Sequence, residues 1–166
     1  MRRISLATAI AGAFLVAGLS AQAPNFAGKW VSADPPPADG GGGGGGRGGG
    51  RGGGGGQFCG QECTITQDAT SLTVTRTTQA GEQKATYKLD GSESKNPGGR
   101  GGGEVVSKAS VSGGMITITT ANPGRDGGPG VTVKRVISMV GGQMVVEQSI
   151  EGGQGAAPTK QTYKKG

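Results

Sequence analysis

Few side chains in this sequence could do chemistry, and the absences narrow the field first. The 166-residue chain contains no histidine, which removes the usual general base and the commonest metal ligand. Serine and threonine are abundant, yet none stands in a nucleophile motif such as G-x-S-x-G. The carboxylates are scattered singly, mostly beside glycines or lysines, so their spacing suggests no acid–base pair. The expectation is a protein that is not an enzyme and needs no cofactor.

Two residues could react with each other. Cys59 and Cys63 stand in "FCGQEC", and in an exported protein two cysteines four apart read most simply as a disulfide. On a straight strand their Cα atoms would lie about 13 Å apart, beyond the limit of about 7 Å for a bridge. Gly60 would have to turn the chain between them. Free or intermolecular thiols are the other reading. Two thiolates without histidine make a poor metal site, so no metal is expected.

Arginine raises a second question, because Arg47 and Arg51 interrupt a glycine run from Gly40 to Gly56. Arg-Gly-Gly elements can present guanidinium groups to phosphates and bases. This tract holds two arginines and no Phe or Tyr for stacking. As a connector it makes physical sense: a glycine-rich chain of this length spans roughly 24 Å as a random coil. "NPGGRGGGE" (Asn96–Glu104) repeats the composition in a second place, which favours expanded loops over a dedicated site. No nucleic-acid partner is expected, and residues 34–57 read as a flexible, disordered Gly/Pro-rich loop.

The remaining elements must supply any site. "MRRISLATAIAGAFLVAGLSAQAPNF" has a basic start, an apolar run from Ile4 to Leu19 and small residues after it. That is the pattern of a secretory signal peptide, residues 1–21, with cleavage after residue 21 or 23. The apolar run is shorter than the about 20 residues of a membrane span, so no span is expected in the mature chain. Periplasmic or extracellular localisation follows. Loss of Arg2 and Arg3 would lower the formal charge of +6 by two, leaving a mildly basic body that needs no polyanionic partner.

Residues 24–166 read as a single β domain. "SLTVTRTT" sets Leu72, Val74 and Arg76 on one face. "KATYKL" does the same for Ala85, Tyr87 and Leu89, and "GVTVKRVISM" for Val131, Val133, Arg135, Ile137 and Met139. "QMVVEQSI" adds Met144, Val146 and Ile150. Alternation of period two with many β-branched residues is the strand signal. Gly113–Gly114 and Gly141–Gly142 sit between alternating runs, where paired glycines supply the positive φ angles of type I′ turns. The fold class is all-β: an antiparallel up-and-down barrel or half-barrel of about eight to nine strands. The strands are expected near 27–32, 62–67, 71–78, 82–89, 104–111, 115–121, 131–140, 143–150 and 159–164. Nine alternating strands would put loops 90–103, 122–130 and 151–159 at one end. The glycine tract would then join the tight turns at 79–81, 112–114 and 141–142 at the other.

The opening "APNFAGKWVSAD", with Asn25, Phe26, Gly28 and Trp30, resembles the first strand of secreted bacterial lipocalin-like (calycin-type) barrel proteins, which carry Asn-Phe-x-Gly-x-Trp. "YKLDGSES" and "PTKQTYKKG" resemble the mid-chain hairpin and last strand of such proteins. The resemblance implies that Trp30 packs across one end of the barrel against a basic residue, Arg135 or Lys164. It also implies a small, largely apolar ligand inside. Candidate wall residues are Trp30, Leu72, Val74, Tyr87, Val133, Ile137 and Met144, with Arg76 or Arg135 for an acidic head group. The same residues could simply fill the core, in a structural or surface-associated cell-envelope protein without a ligand. The sequence leaves the oligomeric state open.

Overall fold

The computed structural model describes residues 24–34, 57–78, 81–98, 103–123, 130–152 and 157–166. The expected signal peptide with its two cleavage points, and the glycine tract itself, lie outside the described residues. The described residues form ten strands: β1 (Gly28–Ser32), β2 (Glu62–Gln67), β3 (Ser71–Thr78), β4 (Gly81–Lys88), β5 (Asp90–Pro97), β6 (Glu104–Ser112), β7 (Met115–Asn122), β8 (Val131–Val140), β9 (Gln143–Glu151) and β10 (Thr159–Lys165). They make one sheet in the order β4-β3-β2-β1-β10-β9-β8-β7-β6-β5. Every pairing is antiparallel, and the first strand meets the last, with Trp30 opposite Lys165 and Ser32 opposite Tyr163.

The result is a nearly closed up-and-down barrel with no helix among the described residues. Its ten strands correct the expectation of eight to nine. The unexpected strand is β5, "DGSESKNP", which has no β-branched or large apolar residue and therefore reads as part of a loop. Its buried residues are Ser94 and Asn96, and their work is done on backbone rather than core. The Asn96 side chain accepts from the Thr86 amide at 2.7 Å and donates to the Thr86 carbonyl at 3.0 Å. The Ser94 hydroxyl accepts from the Lys88 amide at 2.9 Å. No ladder pairs β4 with β5; these side chains stitch the two edges together and leave fewer open backbone groups.

One extra strand also changes which connections share an end. With strands alternating in direction, the connections after β1, β3, β5, β7 and β9 all leave one end, here called the mouth. The long connections 98–103, 123–130 and 152–158 thus share an end, as expected. The glycine tract leaves that same end, together with residues 79–80, which corrects the opposite placement. The far end carries the tight turns at Asp68–Thr70, Leu89, Gly113–Gly114 and Gly141–Gly142. Both glycines of each pair have positive φ (56° and 77°, 57° and 80°), as a type I′ hairpin requires.

Inward-facing apolar residues from β1, β2, β3, β4, β6, β7, β8, β9 and β10 meet in one contiguous core. The outer face carries exposed ion pairs such as Lys29–Glu62 and Lys108–Glu93, which contribute little to stability.

Candidate functional site: the arginine layer inside the barrel

The barrel interior changes character along its axis. The floor, at the far end, is apolar and sealed. Trp30 is fully buried, and its indole nitrogen donates to the Phe26 carbonyl at 2.7 Å. The Phe26 amide donates to Gln67 Oε1, and Gln67 Nε2 donates to the Pro24 carbonyl, both at 2.8 Å, so the segment before β1 closes this end. The basic partner of Trp30 is Lys165, whose Nζ lies 5.4 Å from the ring centroid. This corrects the expectation of Arg135 or Lys164. Lys164 points to the opposite face of β10, because successive residues of a strand alternate. Arg135 lies nearer the mouth. In the same cluster as Trp30, Leu72, Ile137 and Met144 are completely buried, joined by Val74 and Tyr87.

Toward the mouth the inward-facing residues become polar. Arg76 on β3 faces Gln83 directly across the β3–β4 ladder, and its Nη2 donates to Gln83 Oε1 at 3.2 Å. Arg135 on β8 faces Gln148 across the β8–β9 ladder, and its Nε donates to Gln148 Oε1 at 2.8 Å. The Tyr163 hydroxyl donates to Gln161 Oε1 at 2.8 Å. Arginines and glutamines can stand here because alternation gives each strand one or two inward positions beyond the sealed floor.

Electrostatics ties these groups into one layer. Burial pushes the Arg135 guanidinium below the usual arginine range; Tyr87 and Tyr163 act against that shift, and nearby Arg76 adds to it. Arginine nevertheless remains protonated at any physiological pH. Burial raises the Tyr87 phenol above its ordinary range, opposed by Arg135 and Arg76. Tyr163 is raised chiefly by burial as well. A partly desolvated layer with two guanidinium groups and two neutral phenols favours a negative charge.

A short segment lies across this layer. Cys59 and Cys63 are joined in a disulfide with Cα atoms 5.0 Å apart, and Gly60 between them has φ +71°, the turn that the spacing demands. The preceding residues reach inward. Arg76 Nη1 donates to the Gln57 carbonyl at 2.8 Å and to the Phe58 carbonyl at 3.4 Å. The Phe58 amide donates to Gln161 Oε1 at 3.2 Å, and the Cys59 amide to the Tyr163 hydroxyl at 3.4 Å.

The structure therefore separates the sequence-derived candidates into two groups. Trp30, Leu72, Val74, Tyr87, Ile137 and Met144 belong to the contiguous core. Val133 is buried but outside that cluster, on the mouth side of Arg135. Arg76 and Arg135 form the polar layer. Nearest the mouth, the inward-facing aliphatics Val105, Val131 and Ile150 are only half-buried. An open groove of about 560 Å³ lies at the rim, lined by Val106, Ala121, Pro123 and Val131 among others.

Sequence reasoning missed Gln83, Gln148, Gln161 and Tyr163. The available signal was the period-two pattern itself, since Gln148 lies two residues from Val146 and from Ile150 and must share their face. Among the described residues, no three His, Cys, Asp or Glu side chains come together as a metal site. Nor is any helix among them long and apolar enough to cross a membrane.

No protein-family model and no curated protein sequence matches this chain. Solved structures do resemble it. A secretory abundant heat soluble protein from Ramazzottius varieornatus superposes with a TM-score of 0.55 at 15% identity, over 85% of this chain and 95% of that one. A mutant of the fluorescent protein UnaG gives 0.52 at 18% identity, over 85% and 96%. Zebrafish ileal bile acid-binding protein in complex with cholic acid gives 0.50 at 23% identity, over 63% and 72%. At such identities the likeness concerns the fold alone, an antiparallel up-and-down β-barrel of the kind that the Asn-Phe-x-Gly-x-Trp resemblance implied.

Proposed function

We propose that the protein binds a small, largely apolar molecule carrying an acidic group, as an exported, non-enzymatic carrier or scavenger. One observation carries this reading: Arg76 and Arg135 point inward at the level where an apolar floor gives way to glutamines. Placing two like charges in a partly desolvated interior is costly, and an anion between them offsets that cost. The acidic group would sit on the arginine layer, and the apolar remainder would run toward the mouth along Val105, Val131, Val133 and Ile150. The floor residues Trp30, Leu72, Ile137 and Met144 would support the site without touching the ligand. Fold likeness to a bile acid-binding protein is consistent with this reading.

The test uses two fluorescent probes with the same aromatic frame: anilinonaphthalene sulfonate, which is anionic, and phenylnaphthylamine, which is neutral. Both should bind the wild-type protein. Arg76→Gln and Arg135→Gln should each weaken the anionic probe about tenfold, the worth of one charge-assisted hydrogen bond, and leave the neutral probe unchanged. Failure of both probes to bind, or anion binding indifferent to both substitutions, would overturn the reading.

A further inference from the structure

We propose that residues 57–59 are a strap that occupies the anion site, and that the Cys59–Cys63 disulfide holds it there, so that reduction opens the site. The proposal rests on the ligand reading above and names the regulation of that same site.

The geometry is that of an internal competitor. The Gln57 and Phe58 carbonyls take Nη1 of Arg76, the guanidinium edge that an incoming carboxylate or sulfonate would need. On the strap's other side, the Phe58 and Cys59 amides rest on Gln161 and Tyr163. The strap thus engages three inward side chains of the polar layer through four backbone contacts. Phe58 is itself 5% exposed, seated in the core cluster as an anchor.

On its C-terminal side the strap is attached to the sheet. Residues C-terminal to it lead into β2, and just before that strand the Gln61 carbonyl accepts from the Ser32 amide at 2.8 Å. The bridge to Cys63, a β2 residue opposite Trp30, fixes Cys59 one turn beyond that point. Without the bridge, Gly60 gives residues 57–59 a hinge with no side chain to restrain it. A ligand anion would then displace two neutral carbonyls from Arg76 without distorting a closed ring.

The chemical step is thiol–disulfide exchange with an external dithiol. The Cys59–Cys63 S–S bond breaks, both sulfurs leave as thiols with the reagent's two hydrogens, and the dithiol closes into its own disulfide. Because both cysteines are buried, the variant carrying Cys59→Ser and Cys63→Ser reaches the open state without reagent entry.

The experiment titrates the two probes into oxidised protein, dithiothreitol-treated protein and the double serine variant, each also with Arg76→Gln. In both unbridged forms the anionic probe should bind about tenfold tighter, as expected when one hydrogen bond to a charged group need no longer be displaced. The neutral probe should not change, and Arg76→Gln should abolish the redox response. Amide exchange should speed up at Phe58 and Cys59 while β3 and β10 stay protected. If the unbridged forms lose protection throughout the sheet, oxidised Phe58→Ala replaces them, because it loosens the anchor with the bridge intact and should give the same gain. Probe binding that is equal or weaker in the loosened protein overturns the strap but leaves the ligand reading standing. Absence of binding for both probes in every form overturns both.

Discussion

Gly28 sits at φ +133°, and a Cβ built there would lie 3.2 Å from the Lys165 ammonium nitrogen. Two constraints thus meet at one residue: a backbone region that L side chains rarely adopt, and a lysine crossing the strand to reach Trp30. The same lysine donates to the Ala27 carbonyl at 3.2 Å. The Gly-x-Trp pattern therefore has a local physical cause, since glycine makes room for the cation that covers the indole. Gly28→Ala should cost about 1–3 kcal/mol, mostly backbone strain, visible as a lower thermal midpoint. Lys165→Ala should cost about 0.5–1 kcal/mol, the usual worth of an exposed cation–π contact. Combining them should cost less than the sum, because the lysine that crowds the new methyl is gone. Strict additivity in that cycle would show that φ alone sets the requirement for glycine.

Elements show where sequence pattern informs and where it does not. β3, β8 and β9 were legible because Leu72 and Val74, Val133, Arg135 and Ile137, and Met144 and Val146 each repeat at every second residue and face the barrel interior. β5 was illegible because its inward residues solve a backbone problem. Asn96→Ala would leave the Thr86 amide and carbonyl without partners at the β4–β5 seam, at about 1–3 kcal/mol for such a loss. Amide exchange should quicken first at Thr86 and along β5, with β8 and β9 unaffected; uniform exchange would mean that the seam is not held locally. The β2–β3 hairpin offers a second test. Asp68 Oδ1 accepts from the Thr70 and Ser71 amides, both at 2.7 Å, and Oδ2 accepts from the Ser71 hydroxyl at 2.8 Å. Led by the Ser71 hydroxyl, these bonds hold the carboxyl at about 2, below the ordinary 3.8. A depressed folded-state value means that the turn's contribution is complete above about pH 4 and fades as the pH falls toward 2. The difference in urea midpoint between wild type and Asp68→Asn should therefore shrink across that window. A constant difference would place the effect outside Asp68 titration.

At the scale of the whole molecule, one missed strand turned half the topology around. The fold class, the hairpin order and the shared end of three long connections survived that error, because they depend on local alternation and on parity within the later strands. The position of the glycine tract did not survive it, since that depends on the count of strands between the tract and those loops. The arginine layer was half legible: Arg76 and Arg135 followed from period two, whereas the glutamines that orient them, and the strap, follow from cross-strand register that no single segment encodes. The corrected topology gives the tract a sharper test. It joins β1 to its antiparallel neighbour β2 at the mouth, with residues 34 and 57 as the described ends. Asp34 Oδ2 accepts from the Thr162 amide at 3.1 Å, and Gln57 is held by Arg76, so both ends are anchored independently of what lies between. Closing a long loop costs only about 0.6 kcal/mol per doubling of its length. Removing residues 42–54 should therefore raise folding stability by about 1 kcal/mol or less, read as a small upward shift in urea midpoint with an unchanged slope. Affinity for the anionic probe should stay within about threefold, equivalent to less than 0.7 kcal/mol. A larger loss of either quantity would mean that the tract contributes contacts of its own at the mouth, as part of the binding surface and not as a connector.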